Sequence, residues 1–252
     1  MANKSNASVT EVYTLPSKGT IYGIGPDVTI RSMTTKEEKM RLGNQGFYTT
    51  MCSILDSVVI SPDNFNSRLM TQFDFYFLMY KMRVVSYGPS YKVTVTCPKC
   101  GKSDVYTVNL DDLKVNYLPD DFVEPFKIGP LPRSGDTLEC RLLRITDSIE
   151  NDRKATELLK NDPDYVGDPS PILNMVSQIV KINGESKLPA EVTNYVENML
   201  ALDSAYYEQA YNKVISGIGM SSSCEDECKH CGHHLRFGLP FNSEFFRPTF
   251  DL

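Results

Sequence analysis

"CPKCGK" (residues 97–102) and "CKHCGHH" (residues 228–234) carry the same short pattern, C-x-x-C-G, at two distant places in the chain. Each such stretch is called a knuckle below. Two cysteines at this spacing can turn both sulfurs toward one ion, and the glycine permits the tight turn that presents backbone amides to the thiolates. One knuckle supplies half of a closed tetrahedral shell. The two knuckles together predict a structural Zn²⁺ ion, with the ligands Cys97, Cys100, Cys228 and Cys231.

Several residues beside the second knuckle could replace one of these sulfurs. They are Cys224, His230, His233 and His234, and they include all three histidines of the protein. A catalytic metal using a histidine is the competing interpretation, but four cysteine ligands leave no position for water or substrate. The second cysteine pair and the lack of a thioredoxin-like βαβ pattern disfavour a redox dithiol. An iron–sulfur cluster stays open as an alternative.

The composition is that of a soluble globular protein. The chain has 252 residues, 41% of them hydrophobic, which is enough apolar material for a sizeable core. Its net charge of −6 speaks against a broadly basic surface that wraps nucleic acid but leaves room for a local basic patch. The first residues lack a signal-peptide pattern and no apolar run approaches about 20 residues, so we expect folding in a reducing cytoplasm. Cys52 and Cys140, in apolar contexts, are predicted core residues.

Periodicity and turn residues divide the chain into five parts and predict an α+β fold. Residues 1–33 are expected to form a β-rich or extended arm, 34–90 a helical segment, 91–146 a β-rich segment with the first knuckle, 147–220 a wholly helical insertion, and 221–252 the second knuckle with an aromatic tail. The last part is expected to form one compact unit with 91–146. The architecture is then a helical core with a small β-hairpin module, similar to a zinc ribbon, whose knuckles are far apart in sequence.

Local signals place several elements within these parts. Thr34 or Thr35, followed by Glu37 or Glu38, predicts a capped helix that ends near residue 42. Apolar spacing predicts helices within 47–60 and 67–88, the second of them central. β-Branched residues on both sides of the first knuckle predict a hairpin over 91–110, and further strands are expected in 113–119 and 136–146. Beyond a cap at residue 147 or 148, helices are expected near 149–161, 172–182, 190–200 and 204–215.

Catalytic motifs are missing from the sequence. It contains no G-x-S-x-G, no Walker loop and no H-E-x-x-H, and the acidic runs are polar surface rather than paired carboxylates in an apolar setting. We therefore expect a protein that is not an enzyme and has no small-molecule substrate.

Three segments carry a family likeness in their order along the chain. They are "LPSKGTIYGIGPDVTIRSMTTKEEKMRL" (residues 15–42), "SYGPSYKVTVTCPKCGKSDVYTVNLDDLKV" (residues 86–115) and "GHHLRFGLPFNSEFFRP" (residues 232–248). Together they resemble baseplate hub subunits of T4-like contractile-tailed bacteriophages. The resemblance implies a structural or assembly protein of the virion tail baseplate, made in the host cytoplasm, whose partners are other hub and wedge proteins. The zinc prediction rests on the cysteine spacing alone.

Both ends of the chain are candidates for partner contacts, by strand addition or aromatic anchoring. The predicted contact residues are Leu15, Pro16 and Ser17 near the start and Phe241, Phe245, Phe246 and Phe250 in the tail. The alternative is that both ends fold back on the protein's own core.

A zinc-ribbon protein that binds nucleic acid or acts in transcription is the main alternative function. Lys99, Lys102, Lys229 and Arg236 could meet phosphate, or could offset the negative charge of a zinc ion held by four thiolates. The acidic total charge and the acidic "CEDEC" beside the second knuckle oppose nucleic-acid binding. A metal hydrolase that uses the histidines is a third hypothesis.

Overall fold

Helices and strands are mixed along the chain in an α+β fold, in a computed structural model that describes residues 9–43, 46–162, 164–241 and 243–246. The helices are α1 (Thr35–Arg41), α2 (Phe47–Val58), α3 (Gln72–Tyr87), α4 (Ile145–Asn161), α5 (Ser170–Gln178), α6 (Pro189–Glu197) and α7 (Ala201–Ile215). The strands are β1 (Thr10–Thr14), β2 (Asp27–Arg31), β3 (Val59–Ser61), β4 (Ser90–Thr96), β5 (Ser103–Asn109), β6 (Val115–Asn116), β7 (Phe126–Ile128), β8 (Leu138–Cys140), β9 (Ile179–Ile182), β10 (Glu185–Ser186), β11 (Gly219–Met220), β12 (Ser223–Glu227) and β13 (His234–Gly238). The predicted fold class is confirmed.

Two hydrophobic cores organise these elements. The first core surrounds α3 and takes in α2, the β1–β2 hairpin, both knuckle-bearing hairpins (β4–β5 and β12–β13), and Phe245 and Phe246. The second core packs the β10-β9-β8-β7 sheet against α6 and α7, and buries Leu138 and Tyr207. Both knuckles therefore belong to the first core, although most of the second core lies between them in the sequence.

The helix α3 is the central element of the first core. Leu78 and the charged residue Asp74 are fully buried, and the charged residue Arg83 is buried with 3% of its surface exposed. A helix without a polar face must be covered on all sides, which confirms the predicted central position. The helix begins at Gln72, later than the apolar spacing suggested, because Ser67–Leu69 form a short 3-10 turn. Among the described residues, none of the helices has the length and apolar content that a bilayer crossing requires.

The N-terminal strands pack directly on α3. β1, β2 and β3 form an antiparallel sheet in the order β1-β2-β3. Val28 and Ile30 of β2 are fully buried in the first core. Over the described residues 9–33, the predicted β-rich arm is thus a hairpin that packs on the core rather than one that extends away from it.

The prediction that residues 147–220 are wholly helical is wrong. Residues 179–182, expected to continue a helix, form strand β9, which pairs with β8. Lys181 lies directly opposite Glu139, and their charged groups are 3.0 Å apart. β-Branched residues favour a strand where a neighbouring strand can pair with them. Asn183 and Gly184, both with positive φ, then form the tight turn to β10.

Other boundaries differ from the predictions as well. The helix expected after residue 147 or 148 begins at Ile145, and Asp147 instead accepts hydrogen bonds from the backbone N–H of Arg144 and the side chain of Arg141. Within 113–119 only β6 forms, and it pairs with β11 from the far end of the insertion. Within 136–146 only β8 forms. Strand β7 was not predicted.

Glu37 joins α1 to the neighbouring strand and helix. As the predicted capping box requires, its carboxylate accepts the backbone N–H of Thr34 at 2.8 Å. It also accepts hydrogen bonds from the Arg31 guanidinium at 2.9 Å and the Ser57 hydroxyl at 2.8 Å, and it is 1% exposed. Burial alone would raise the pKa of Glu37, but these hydrogen bonds outweigh it and hold the pKa well below its usual range.

Glu37→Gln should lower the free energy of unfolding by about 2 kcal/mol at pH 7, because the Arg31 guanidinium loses its ionic partner. A carboxyl whose pKa is lowered by folding stabilises the protein above its unfolded pKa of about 4.3, and this contribution is lost as the pH falls. The difference between wild type and variant should therefore shrink below about pH 4. Urea unfolding at several pH values measures it.

Glu157→Gln is the matched control, because Glu157 forms an exposed ion pair with Arg153. It should change stability by less than about 0.5 kcal/mol at any of these pH values. Equal effects of both variants at pH 7 would contradict the role assigned to Glu37.

Candidate metal centre

The first knuckle is the tip of the β4–β5 hairpin. At the base of the turn the backbone N–H of Cys97 donates to the carbonyl of Lys102 at 2.9 Å. Inside the turn the N–H of Gly101 donates back to the carbonyl of Cys97, also at 2.9 Å. Gly101 has a φ of +71°, a conformation that costs little only for glycine.

The second knuckle, at the tip of β12–β13, repeats this turn. Cys228 N–H donates to the carbonyl of His233 at 2.8 Å, and Gly232 N–H donates to the carbonyl of Cys228 at 2.8 Å. Gly232 has a φ of +65°. No atom lies within 4 Å of the position where a Cβ would stand on either glycine, so the turn requires glycine for its backbone conformation and not for space. The repeated sequence therefore encodes one backbone turn twice.

The two turns bring four sulfur atoms together. The sulfurs of Cys97, Cys100, Cys228 and Cys231 all lie within 4.8 Å of one another. Across the two hairpins, Cys97 Sγ is 3.8 Å from Cys231 Sγ, and Cys100 Sγ is 3.7 Å from Cys228 Sγ. Sulfurs bound at about 2.3 Å to a tetrahedral zinc ion are about 3.8 Å apart, so the cluster has the dimensions of a zinc shell. The separations exclude disulfide bonds, which need about 2.05 Å.

The thiols of this cluster differ in acidity. Backbone N–H groups, first that of His230, lower the pKa of Cys228 to about 7. At Cys231 the amide of His233 acts in the same direction, but desolvation and the neighbouring thiols outweigh it and raise the pKa to about 11. The Cys228 thiol thus loses its proton more easily than an ordinary cysteine, whereas each further thiolate would be repelled by the negative charge already in the cluster. A bound cation would remove this repulsion.

The residues proposed as substitute ligands lie outside the four-sulfur cluster that the described residues form. His230 Nε2 is 3.5 Å from a carboxylate oxygen of Asp104, and His234 Nε2 is 3.8 Å from one of Glu225. His233 contributes its carbonyl to the second turn. Cys224 packs against the first core on β12, away from the knuckle tip.

Contacts between the hairpins hold the two knuckles side by side. The Tyr106 hydroxyl donates to the carbonyl of Glu227 at 3.4 Å, and the Lys229 ammonium lies 4.8 Å from the centre of the Tyr106 ring. Lys229 also reaches Asp104 at 3.2 Å and the carbonyl of Val105 at 2.6 Å. These contacts fix the relative position of the two ligand pairs.

The predicted N-terminal contact segment is buried in this structure. Leu15, Pro16 and Ser17 are all buried, and the Ser17 N–H donates to Asp74 at 2.9 Å. Tyr22 also donates to Asp74, at 2.6 Å. Burial raises the pKa of Asp74, and the hydrogen bonds from Ser17 and Tyr22 partly oppose that shift. The segment is thereby fastened to the first turn of α3.

The C-terminal aromatic segment also packs on α3. Phe245 and Phe246 are buried, Phe241 is half-buried, and the Phe245 ring lies 4.9 Å from that of Tyr80. The Arg83 guanidinium donates to the carbonyl of Phe245 at 2.9 Å. The described parts of both candidate contact segments thus lie on the chain's own core. As partner contacts these residues stay a prediction, and Phe250 lies outside the described residues.

Asp74 and Arg83 are anchors that sequence analysis missed. Arg83 donates to backbone carbonyls of Gly88 at 2.7 Å and Ser90 at 3.0 Å in addition to Phe245. It is buried, and burial lowers its pKa. The sequence signal for both anchors was a charged residue near each end of a helix that has no polar face. A charge on such a helix is buried, and a buried charge requires a buried partner.

The chain matches a family of known proteins over most of its length. Residues 8–247 match the family model described as T4 bacteriophage base plate protein. No curated protein and no solved structure matches the chain.

Phe245→Ala should lower the free energy of unfolding of the isolated chain by about 4 kcal/mol, because it empties a packed aromatic site. Chemical denaturation measures it. Val123→Ala, at a side chain 69% exposed, is the control and should change stability by less than about 0.5 kcal/mol. An unchanged stability for Phe245→Ala would show that this ring does not stabilise the free chain.

Proposed function

The chain belongs to the T4 bacteriophage base plate protein family, and on that premise we propose that it is a structural or assembly component of the hub region of a phage tail baseplate. The observation that carries the proposal is the family match over residues 8–247, which includes both cores and both knuckles. The likeness of residues 15–42, 86–115 and 232–248 to hub subunits supports the hub region. The partners are then other hub and wedge proteins, and the site of action is the tail baseplate, after synthesis in the host cytoplasm.

The cofactor in this proposal is a structural zinc ion. The donor set supports it, because four thiolates at these separations match a closed tetrahedral zinc shell. The ligands are Cys97, Cys100, Cys228 and Cys231. Bound zinc would fasten the two hairpins together and stabilise the first core, and the proposal includes no catalytic step.

Nucleic-acid binding is the alternative, and the local ion pairs disfavour it. Lys229 is 3.2 Å from Asp104, and Arg236 is 3.7 Å from Glu225. Acidic neighbours would compete with phosphate for these two side chains. Lys99 and Lys102 are exposed and could reach phosphate. Salt-dependent binding to DNA or RNA that is lost when both lysines are replaced would favour the alternative.

The purified chain should contain one zinc ion, measured by elemental analysis. Cys228→Ser should lose the metal and lower the melting temperature by about 10 °C or more, because two thiolate pairs no longer share a cation. Cys224→Ala should keep both the metal and most of the stability. A metal-free wild-type chain that is folded and stable would refute the structural zinc.

Infection with a phage that lacks this chain should yield few or no complete baseplates, and supplying the chain in trans should restore them. Sedimentation and electron microscopy of lysates measure the yield. A tagged chain that co-sediments with baseplates or their assembly intermediates supports the proposal. Normal baseplates without the chain would contradict it.

A further inference from the structure

The second knuckle carries two side chains between its cysteines that both reach the first hairpin. The Lys229 ammonium is 3.2 Å from one carboxylate oxygen of Asp104, and His230 Nε2 is 3.5 Å from the other. The first knuckle has Pro98 and Lys99 at these positions. Within the described part of the chain, the exposed Lys99 side chain makes no hydrogen bond or ion pair. The two knuckles thus share one backbone turn but differ in how their side chains are used.

Lys229 is bound by three consecutive residues of β5. In addition to the contact with Asp104, its ammonium donates to the carbonyl of Val105 at 2.6 Å and lies 4.8 Å from the centre of the Tyr106 ring. A charge-assisted hydrogen bond is stronger than a neutral one, and a cation over an aromatic face adds a further attraction. An exposed ion pair alone would contribute little, so the carbonyl and the ring matter more than the carboxylate.

The Tyr106 hydroxyl contacts the backbone on both sides of the ligand Cys228. It donates to the carbonyl of Glu227 and accepts the N–H of Lys229, both at 3.4 Å. Tyr106 is itself buried in the first core, where its ring lies 5.8 Å from that of Phe237. Both hydrogen bonds are long and therefore weak, so the stronger link between the hairpins is the Lys229 side chain.

These contacts matter most when no ion is bound. The sulfurs of Cys100 and Cys231 belong to exposed residues at the hairpin tips, and thiolates close together repel one another. A metal ion binds only the arrangement in which both ligand pairs face one volume. The observed dissociation constant is therefore the intrinsic constant divided by the fraction of chains in that arrangement. A contact that raises this fraction strengthens metal binding without touching the ion.

We propose that Lys229 is a positioning residue of the metal centre, which holds the second ligand pair against the first before the ion binds and thereby raises the affinity for Zn²⁺. Tyr106 assists by fixing the backbone around Cys228. This inference rests on the structural zinc ion of the proposed function and adds the residue that controls its affinity. In a purely electrostatic role, by contrast, a lysine would act only by offsetting the negative charge of the thiolates.

Lys229→Met tests the positioning role, and Lys99→Met is its matched control. Methionine keeps an unbranched side chain, and each variant removes one positive charge from the residues between two ligand cysteines. Lys229→Met should weaken Zn²⁺ binding about tenfold, as the loss of a partner that orients metal ligands does. Lys99→Met should change it less than about twofold, because no contact between the hairpins is lost. Competition between the metal-free chain and a chelator of known affinity measures both values.

Two further measurements separate position from ligand loss. The Co²⁺ absorption bands of both variants should match those of the wild-type chain, because all four thiolates are retained. In the metal-free chains, hydrogen exchange across residues 231–238 should be faster in Lys229→Met than in wild type, because the second knuckle is no longer held. The exchange should be unchanged in Lys99→Met. Circular dichroism of the metal-free variants checks that the fold is kept.

Equal weakening of Zn²⁺ binding by both lysine variants would show a charge effect and overturn the positioning role. Unchanged binding in Lys229→Met would overturn it as well. A wild-type chain that binds neither Zn²⁺ nor Co²⁺ would instead refute the metal centre of the proposed function, and the positioning role with it.

Tyr106→Phe tests the hydroxyl separately, because phenylalanine keeps the ring that packs on Phe237 and faces Lys229. It should weaken Zn²⁺ binding about threefold, which corresponds to the loss of weak hydrogen bonds. The same chelator competition measures it. A loss as large as that of Lys229→Met, or larger, would overturn the assignment of the main role to Lys229.

Discussion

Four cysteine sulfurs from two distant hairpins occupy one small volume, and the rest of the structure is arranged around that convergence. Uncompensated thiolates so close together repel one another, so the arrangement needs a cation or protons to persist. A divalent ion bound in the cluster, as we propose, would join residues near 100 to residues near 230 and so close a loop of more than a hundred residues. It would also help to hold the C-terminal aromatic segment, which follows β13, beside α3.

Polar anchors complement this constraint at both ends of α3. Asp74 receives the Ser17 N–H and the Tyr22 hydroxyl near the start of the helix, and Arg83 donates to the Phe245 carbonyl near its end. Each ties a terminal segment of the chain to the central helix by buried hydrogen bonds. These segments, around Ser17 and Phe245, are therefore part of the first core.

Sequence reasoning succeeded where a local pattern dictates local geometry. The C-x-x-C-G repeat led to the two turns that gather the sulfurs, and Thr34 with Glu37 led to the capped α1. Sequence reasoning failed where pairing with a distant segment of the chain decides whether a stretch forms a helix or a strand. Residues 179–182 continue a helical apolar pattern, yet β8 was available to pair with them, and the Asn183-Gly184 turn signal was overlooked. The roles of Asp74 and Arg83 depend on which backbone groups lie opposite them, which one-dimensional patterns do not contain.

The pairing of β6 with β11 has a consequence for how the chain is assembled. Asn116 lies opposite Gly219, so the two ends of residues 117–218 meet at one point of the first core. Between those ends Ile145 of α4 is also buried in the first core, and the backbone N–H of Ile145 donates to the carbonyl of Met70. A segment whose ends meet can change in length at little cost to the framework that carries it. We therefore expect such change in the parts that only the second core holds, whereas α4 stays fixed to the module that holds the knuckles.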